Sequence, residues 1–136
     1  MASANVMAEI ESAVRAAWTY TPIFANNITA NVPEDNSAYL IITYPYATET
    51  MKSTGAPGSN VFREEGAALI SLQIEAGNGL SNWPSLIDGL RSALRAKKLG
   101  DVNTMEAPAP FIDYRSDEGA YFVLSFALAY WFDTFG

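Results

Sequence analysis

The sequence predicts one α+β domain covering residues 1–136, in which two helices pack on a mainly antiparallel sheet that carries a long hairpin arm. Helical stripes of apolar residues occupy residues 4–18 and 81–99, and extended stretches lie between and after them. Residues 111–115 and the uncharged residues 120–132 form the last two extended stretches. We therefore expect the order α-β-β-α-β-β in a two-layer arrangement.

The uncharged stretch predicts a long central strand, because successive side chains of a strand point to opposite faces of the sheet. Large apolar side chains occupy its even positions, namely Phe122, Leu124, Phe126, Leu128, Tyr130 and Phe132. The odd positions carry smaller or amphipathic side chains, namely Tyr121, Val123, Ser125, Ala127, Ala129 and Trp131. We expect the even side to face the core. The flatter odd side fits either a second core layer or a contact with a neighbouring subunit.

Residues 4–18 predict the first helix, because their apolar side chains recur at helical spacing. This apolar stripe consists of Val6, Ile10, Ala13, Val14, Ala17 and Trp18. Ser3 or Asn5 is the candidate N-cap. Pro22 then favours an extended backbone, because a proline disfavours the helical conformation at the residue before it.

Two strands at residues 39–46 and 61–76 are predicted from their alternation, and residues 47–60 form a polar connection between them. Pro45 cannot donate a ladder hydrogen bond, so the first strand lies at an edge there or ends. Gly66 is expected to mark a bulge or a close backbone approach. We interpret the connection as a flexible arm or loop, which either has no partner or orders against one.

Residues 81–99 predict the second helix, with Ser81 as its cap, Pro84 in its first turn and Gly100 as its stop. Its last turns contain four of the eight cations of the chain, which are Arg91, Arg95, Lys97 and Lys98. This basic cluster fits either a solvated helix end that complements the helix dipole or a patch that pairs with an acidic neighbouring subunit.

The composition excludes several classes of function. The chain has no cysteine and no histidine, so it lacks thiolate chemistry, the commonest general base and the commonest zinc ligand. Its formal net charge of -7 and its sequence pI near 4.4 disfavour binding to phosphate backbones and anionic membranes. The sequence also predicts neither a signal peptide nor a transmembrane stretch.

No catalytic motif is recognised, and we expect no enzymatic activity, no cofactor and no metal. Three pairs of adjacent carboxylates occur, but neighbouring residues of a strand face opposite ways, which does not suit acid–base catalysis. Oxygen ligands for a hard cation are conceivable around Asp113, Asp117 and Glu118. Residues 77–79 contain only a fragment of a dinucleotide-binding motif.

Several short segments of the sequence resemble those of a known family. The first helix ends in Ala17-Trp18-Thr19, and Thr21-Pro22-Ile23-Phe24-Ala25-Asn26 follows it. Tyr39-Leu40-Ile41-Ile42, a glycine-containing arm, the strand at residues 66–74, a helix centred on Trp83 and the aromatic closing strand come next. In this order of elements the chain resembles the tail-terminator-like (tail-completion) proteins of tailed bacteriophages over nearly its whole length.

The resemblance implies a structural protein of the virion that assembles in the cytoplasm of the bacterial host. Family members form a ring, typically of six copies, which stops growth of the tail tube and faces the head-side connector. The implied partners are further copies of the chain, the tail tube protein and the head–tail connector protein, with no membrane and no sequence-specific binding of nucleic acid. Six copies would carry a charge of about -42 (six times -7), so DNA could pass through an acidic lumen without adhering.

A head-to-tail ring needs two different, complementary surfaces on each copy. Our hypothesis places the cations Arg91, Arg95 and Lys98 against acidic residues of the next copy. The acidic candidates are Glu64, Glu65, Asp117 and Glu118. The arm residues expected to contact a partner are Met51, Lys52, Ser53 and Thr54.

Two alternatives stay open from the sequence. One is another head–tail adaptor or neck protein of the same kind of particle. The other is a small ligand-binding domain whose pocket is lined by Tyr39, Tyr44, Trp83 and Tyr121.

Overall fold

The computed structural model describes residues 2–25, 37–75, 79–112 and 121–136. Two helices and seven strands occur within these ranges. The helices are α1 (Ala4–Ala17) and α2 (Trp83–Leu94). The strands are β1 (Ile23–Phe24), β2 (Tyr39–Met51), β3 (Val61–Glu75), β4 (Lys98–Leu99), β5 (Val102–Thr104), β6 (Phe111–Ile112) and β7 (Tyr121–Phe135).

The strands form one mixed sheet in the order β1-β2-β3-β7-β5-β4, and β6 also pairs with β7. β1 runs parallel to β2, whereas the other pairs among the described strands are antiparallel. The predicted α+β class with two helices is confirmed. The predicted order of elements is confirmed only in part, because β1, β4 and β5 have two or three residues each, too few to show alternation in the sequence.

The core lies between the helices and one face of the sheet. The even positions of β7 face it, as the alternation predicts, and Phe126, Leu128 and Tyr130 are completely buried there. α1 contributes Val6, Ile10 and Val14 of the predicted stripe to the same core, whereas Ala17 is exposed. Trp18, which follows the helix, stacks on Trp83 at the start of α2 with ring centroids 6.4 Å apart. The two helices and the even side of the sheet therefore form the two layers that the sequence predicts.

The hairpin of β2 and β3 is longer than the sequence predicts. Residues 47–51 continue β2 instead of belonging to the connection, because Thr48 and Thr50 pair with Glu65 and Arg63 of β3. The connection is thus residues 52–60, and its flexibility stays a prediction. Polar residues can form a strand when a partner strand supplies the hydrogen bonds, which explains why the polar composition was misleading.

A bulge interrupts the hairpin between Thr43 and Tyr46, where Pro45 removes a ladder donor. Among the described residues, β1 covers the outer edge of β2 only at Leu40 and Ile41, so Pro45 lies beyond that pairing, at an edge, as predicted. Gly66 lies opposite the bulge, and a Cβ there would be 2.5 Å from the carbonyl oxygen of Tyr46. The predicted close backbone approach at Gly66 is therefore confirmed.

The second helix is shorter than the predicted residues 81–99. Asn82 occupies the N-cap position in place of Ser81, and Pro84 lies in the first turn as expected. The helix ends at Leu94, because the next residues turn away and the N–H of Ala96 donates to the carbonyl oxygen of Met105. Gly100, predicted as the helix stop, instead lies in the tight turn between β4 and β5 with φ +59°.

Two glycine substitutions should change stability in opposite directions. Gly66→Ala should lower the free energy of unfolding by about 1–3 kcal/mol, because the new Cβ displaces the backbone of β2. Gly89→Ala should raise it by about 0.5–1 kcal/mol, because Gly89 lies inside α2 with open space around it. Urea unfolding of both variants tests this pair, and a shift of the same sign in both would contradict the packing described at Gly66.

Candidate functional site

The candidate site is the side of the sheet that faces away from the helices, which we call the outer face. It consists of the odd positions of β3 from Glu65 onward and the odd positions of β7 up to Asp133. The residues of β2 that lie opposite these positions of β3 also belong to it. Its uncharged members are Tyr39, Ile41, Thr43, Tyr46, Ala67, Leu69, Ser71, Gln73, Val123, Ser125, Ala127 and Ala129. None of these residues belongs to the core cluster, and neither described helix packs on this side. Six of the twelve are nevertheless buried, namely Tyr39, Ala67, Ser71, Gln73, Val123 and Ser125, whereas five are half-buried and Tyr46 is exposed.

The flatness of the outer face follows from the register of β3 and β7. Ala67 lies opposite Ala129, and Ser71 lies opposite Ser125 with the two hydroxyl oxygens 2.9 Å apart. Each serine thus satisfies the other in the middle of the face. The uncharged area extends about 20 Å along β3 and about 10 Å from β2 to β7.

Large apolar side chains border this flat area. Tyr46 is 59% exposed at the bulge, and Phe111 of β6, which pairs with Ser125, is 48% exposed on the other side. An uncharged, flat surface with exposed aromatic residues at its border suits contact with another protein surface. It contains no nucleophile–base pair and no cluster of titratable groups among the described residues.

A bidentate ion pair lies beyond the uncharged area, near the hairpin end. Arg63 donates from Nε and Nη2 to the two carboxylate oxygens of Asp133, at 2.8 and 2.9 Å. The guanidinium carbon of Arg63 also lies 4.2 Å from the ring centroid of Trp131. Since Arg63 is directly opposite Asp133 in the ladder, the pair ties the projecting ends of β3 and β7 together.

This ion pair gives the folded chain a specific dependence on pH. The hydrogen bonds from Arg63 hold the pKa of Asp133 below its ordinary value in the folded state. The contribution of the pair is therefore complete above the unfolded pKa of about 4 and is lost as the pH falls through the folded pKa. Asp133→Asn should lose less stability than the wild type between pH 5 and about pH 2.5. Equal losses of unfolding free energy in the two proteins, measured with urea, would contradict this role.

Of the predicted acidic interface residues, Glu64 lies inside the molecule. It is at an even position of β3 and only 7% exposed, because that side of the strand faces the helices. Its Oε2 accepts hydrogen bonds from the hydroxyl of Tyr130 at 2.6 Å and from the backbone N–H of Ser3 at 3.2 Å. Burial and this hydrogen bond raise the pKa of Tyr130. Glu64 is therefore an internal carboxylate and does not belong to the exposed acidic surface that was predicted.

The predicted basic cluster separates into two parts. Arg91 is half-buried on α2, and its Nη2 lies 3.7 Å from a carboxylate oxygen of Asp88. Arg95, Lys97 and Lys98 are exposed after the end of α2, and we call these three the basic end. Helical spacing alone did not separate them, because the sequence predicted that the helix continued to residue 99.

Lys98 and Glu65 lie on the same side of one chain. Lys98 is opposite Asn103, which is opposite Trp131, which in turn is opposite Glu65. Three strand spacings separate the two charges, or about 14 Å, so the structure does not bring them into contact. The other predicted acidic residues, Asp117 and Glu118, lie outside the described residues, as does Asp113.

The predicted arm residues lie at the tip of the hairpin. Met51 ends β2 and is exposed, and Lys52 and Thr54 are exposed beyond it. Ser53 is half-buried, and its Oγ accepts a hydrogen bond from the backbone N–H of Val61 at 2.9 Å. Three of the four residues are thus accessible to a partner, whereas Ser53 stabilises the turn.

The alternative aromatic ligand pocket is not formed. Tyr44 points into the core, where its hydroxyl donates to the carbonyl oxygen of Met7 at 3.3 Å. Tyr39 and Tyr121 meet edge to face on the other side of the sheet, with ring centroids 5.1 Å apart. Because the sheet separates these side chains, the four predicted residues including Trp83 do not line one cavity.

Two further properties concern metals and membranes. Within the described ranges, no group of three or more acidic residues is placed to hold a metal ion. Neither α1 nor α2 has the length and apolar character needed to cross a bilayer.

Comparison with solved structures identifies the fold. Eighteen chains of solved structures match this one. One of them superposes with a TM-score of 0.61 and 15% sequence identity, over 100% of this chain and 98% of its own length. The two proteins share a fold. Identity this low carries no statement about function. No protein-family model matches the sequence, and no curated protein matches it.

Proposed function

We propose that the chain is a structural virion protein, a tail terminator that forms a ring on the tail tube and joins it to the head-side connector. The proposal rests on two observations. Short segments of the sequence resemble those of the tail-terminator-like proteins, and the chain has an α+β fold in which a mainly antiparallel sheet carries a long hairpin. The ring contains six copies, and its partners are the tail tube protein and the connector protein. The alternative function, another head–tail adaptor or neck protein, differs from the proposed one only in the position of the protein in the particle.

The observation that supports the proposal best is the outer face. A strand-rich chain of 136 residues covers one side of its sheet with two helices, while no described helix covers the other side. The side without a described helix has no charged residue along about 20 Å of β3, although the chain as a whole is acidic. Its half-buried residues, which include Leu69, Ala127 and Ala129, and the exposed Tyr46 lose unfavourable contact with water when a neighbouring copy covers them.

Closure of the ring requires a second surface that differs from the outer face. Each copy contacts one neighbour through the first surface and the other neighbour through the second. The basic end meets this requirement, since it lies after α2 and carries charges opposite to the net charge of the chain. Of the acidic residues predicted to meet it, Glu65 is exposed in the described part of the chain. We also expect the lumen of the ring to be acidic, because each copy carries a net charge of -7, and an acidic lumen lets DNA pass without binding.

A charge placed in the outer face should prevent assembly without unfolding the chain. We expect Ala127→Arg to sediment as a folded monomer under conditions in which the wild type forms rings. Ala16→Arg is the matched control, because Ala16 is exposed on α1, away from the outer face. Thermal unfolding establishes that both variants fold. Rings formed equally well by Ala127→Arg would contradict the role of this face.

A further inference from the structure

A groove lies at the end of the sheet opposite the hairpin tip. A cavity of about 180 Å³ is lined by Ser37, Glu75 and Trp83, among others, and an adjoining one of about 310 Å³ by Glu75, Leu80 and Phe122. Glu75 lines both cavities, which together we call the Glu75 groove. Aromatic and aliphatic walls around one exposed carboxylate favour a cation on an apolar stem, such as a lysine or arginine side chain.

The carboxylate of Glu75 is available for such a cation. Glu75 is exposed and forms no ion pair with any residue of the described part of the chain. Glu65, in contrast, lies near Arg63, and its negative charge contributes to raising the pKa of that guanidinium. The charge of Glu65 is thus already partly compensated within its own chain, whereas Glu75 has no ion-pair partner among the described residues.

The position of Glu75 also suits a ring better than that of Glu65. Lys98 and Glu65 lie in one row on one side of the sheet, so two copies can form this contact twice about a two-fold axis and close as a pair. Glu75 is ten residues further along β3, about 33 Å from that row. The two ends of α2 are about 18 Å apart, with Trp83 at the groove end and the basic end after the other. Opposite charges at opposite ends of a molecule give a head-to-tail contact.

We infer that the Glu75 groove is the subunit contact that receives the basic end of a neighbouring copy. In this contact the ammonium group of Lys97 or Lys98 pairs with the carboxylate of Glu75, and its alkyl stem lies against Trp83 and Phe122. The inference rests on the proposed function, because it names the acidic partner within the proposed ring. It replaces Glu65 by Glu75 as that partner.

Two charge-reversal variants test the contact through their mixture. Glu75→Lys alone and the double variant Lys97→Glu/Lys98→Glu alone should each weaken self-association by at least about tenfold, because like charges then meet at every contact. An equimolar mixture should recover the association of the wild type, because each variant supplies the charge that the other lacks. Glu49→Lys, which changes the net charge equally at the hairpin, should assemble alone. Failure of the mixture to assemble would overturn the inference.

Cross-linking gives a second, direct measurement, because the chain has no cysteine of its own. Glu75→Cys/Lys98→Cys, treated with a short bis-maleimide, should give a ladder of linked chains up to the full ring. Glu65→Cys/Lys98→Cys should give no ladder. Rings that link through Glu65→Cys and not through Glu75→Cys would overturn the inference and leave the ring proposal standing. A wild type that forms no oligomer at any concentration would overturn the inference and the ring proposal together.

Discussion

Phe126→Ala should lower the free energy of unfolding by about 3–5 kcal/mol, since Phe126 is completely buried in the centre of β7. The change removes a whole aromatic ring from between the helices and the sheet and leaves a cavity that the surrounding strands can only partly close. β3 pairs with β7 along its whole length, including Ile70 opposite Phe126, so β3 resists that relaxation. Urea unfolding followed by circular dichroism measures the loss.

The matched control is Phe135→Ala, the same substitution near the end of the same strand. Phe135 is 73% exposed, so its truncation should change the free energy of unfolding by less than about 0.5 kcal/mol. The contrast between the two variants therefore reports burial and not the propensity of phenylalanine for strands. Similar losses in both variants would contradict the assignment of the even positions of β7 to the core.

Tyr130→Phe should lower the free energy of unfolding by about 1.5–3 kcal/mol, because it removes a hydrogen bond to a charged acceptor. In the variant, the buried carboxylate of Glu64 retains only the N–H of Ser3 among the hydrogen bonds described for it. Loss of a donor to a buried charge lowers the free energy of unfolding by more than the hydrogen bond contributed to it, because water cannot replace the donor. The N-terminal end of α1 should loosen in the same variant, since Ser3 precedes that helix.

A double-mutant cycle separates this hydrogen bond from general packing effects. Glu64→Gln, Tyr130→Phe and the double variant should show a coupling energy of about 1 kcal/mol or more, because the two side chains form a direct hydrogen bond. Tyr44→Phe is a suitable control for loss of a tyrosine hydroxyl, since its hydroxyl meets a neutral carbonyl oxygen at 3.3 Å. Strict additivity of the Glu64 and Tyr130 changes would contradict the contact.

The long elements could be predicted from the sequence because their patterns repeat many times. β7 has fifteen residues, and α1 has fourteen, so each shows its period clearly. β4 and β5 could not be predicted, because two or three residues do not reveal a period. They also displace the end of α2: five residues of the predicted helix belong to the turn and strand that follow it. Their formation depends on pairing with β7, which is a tertiary contact.

The candidate site was predictable in its residues but not in its surroundings. The small odd positions of β7, including Ser125 and Ala127, were visible in the sequence as one side of a strand. Alternation shows that a strand has two different sides, but it does not show whether a second layer covers the smaller one. Glu64 and Glu65 illustrate the same limit, since adjacent charges looked equivalent in the sequence and only the sheet decides which of them is buried.

Sedimentation velocity of the purified wild type, over a wide range of concentration and at low and high salt, is the decisive test of ring formation. We expect a discrete species near six times 14.7 kDa, and ring-shaped particles of that species under the electron microscope. Association should depend on salt, because six acidic copies repel one another while the proposed contacts are ionic. A single monomeric species at every concentration, at both salt levels and with magnesium added, would contradict the proposed ring.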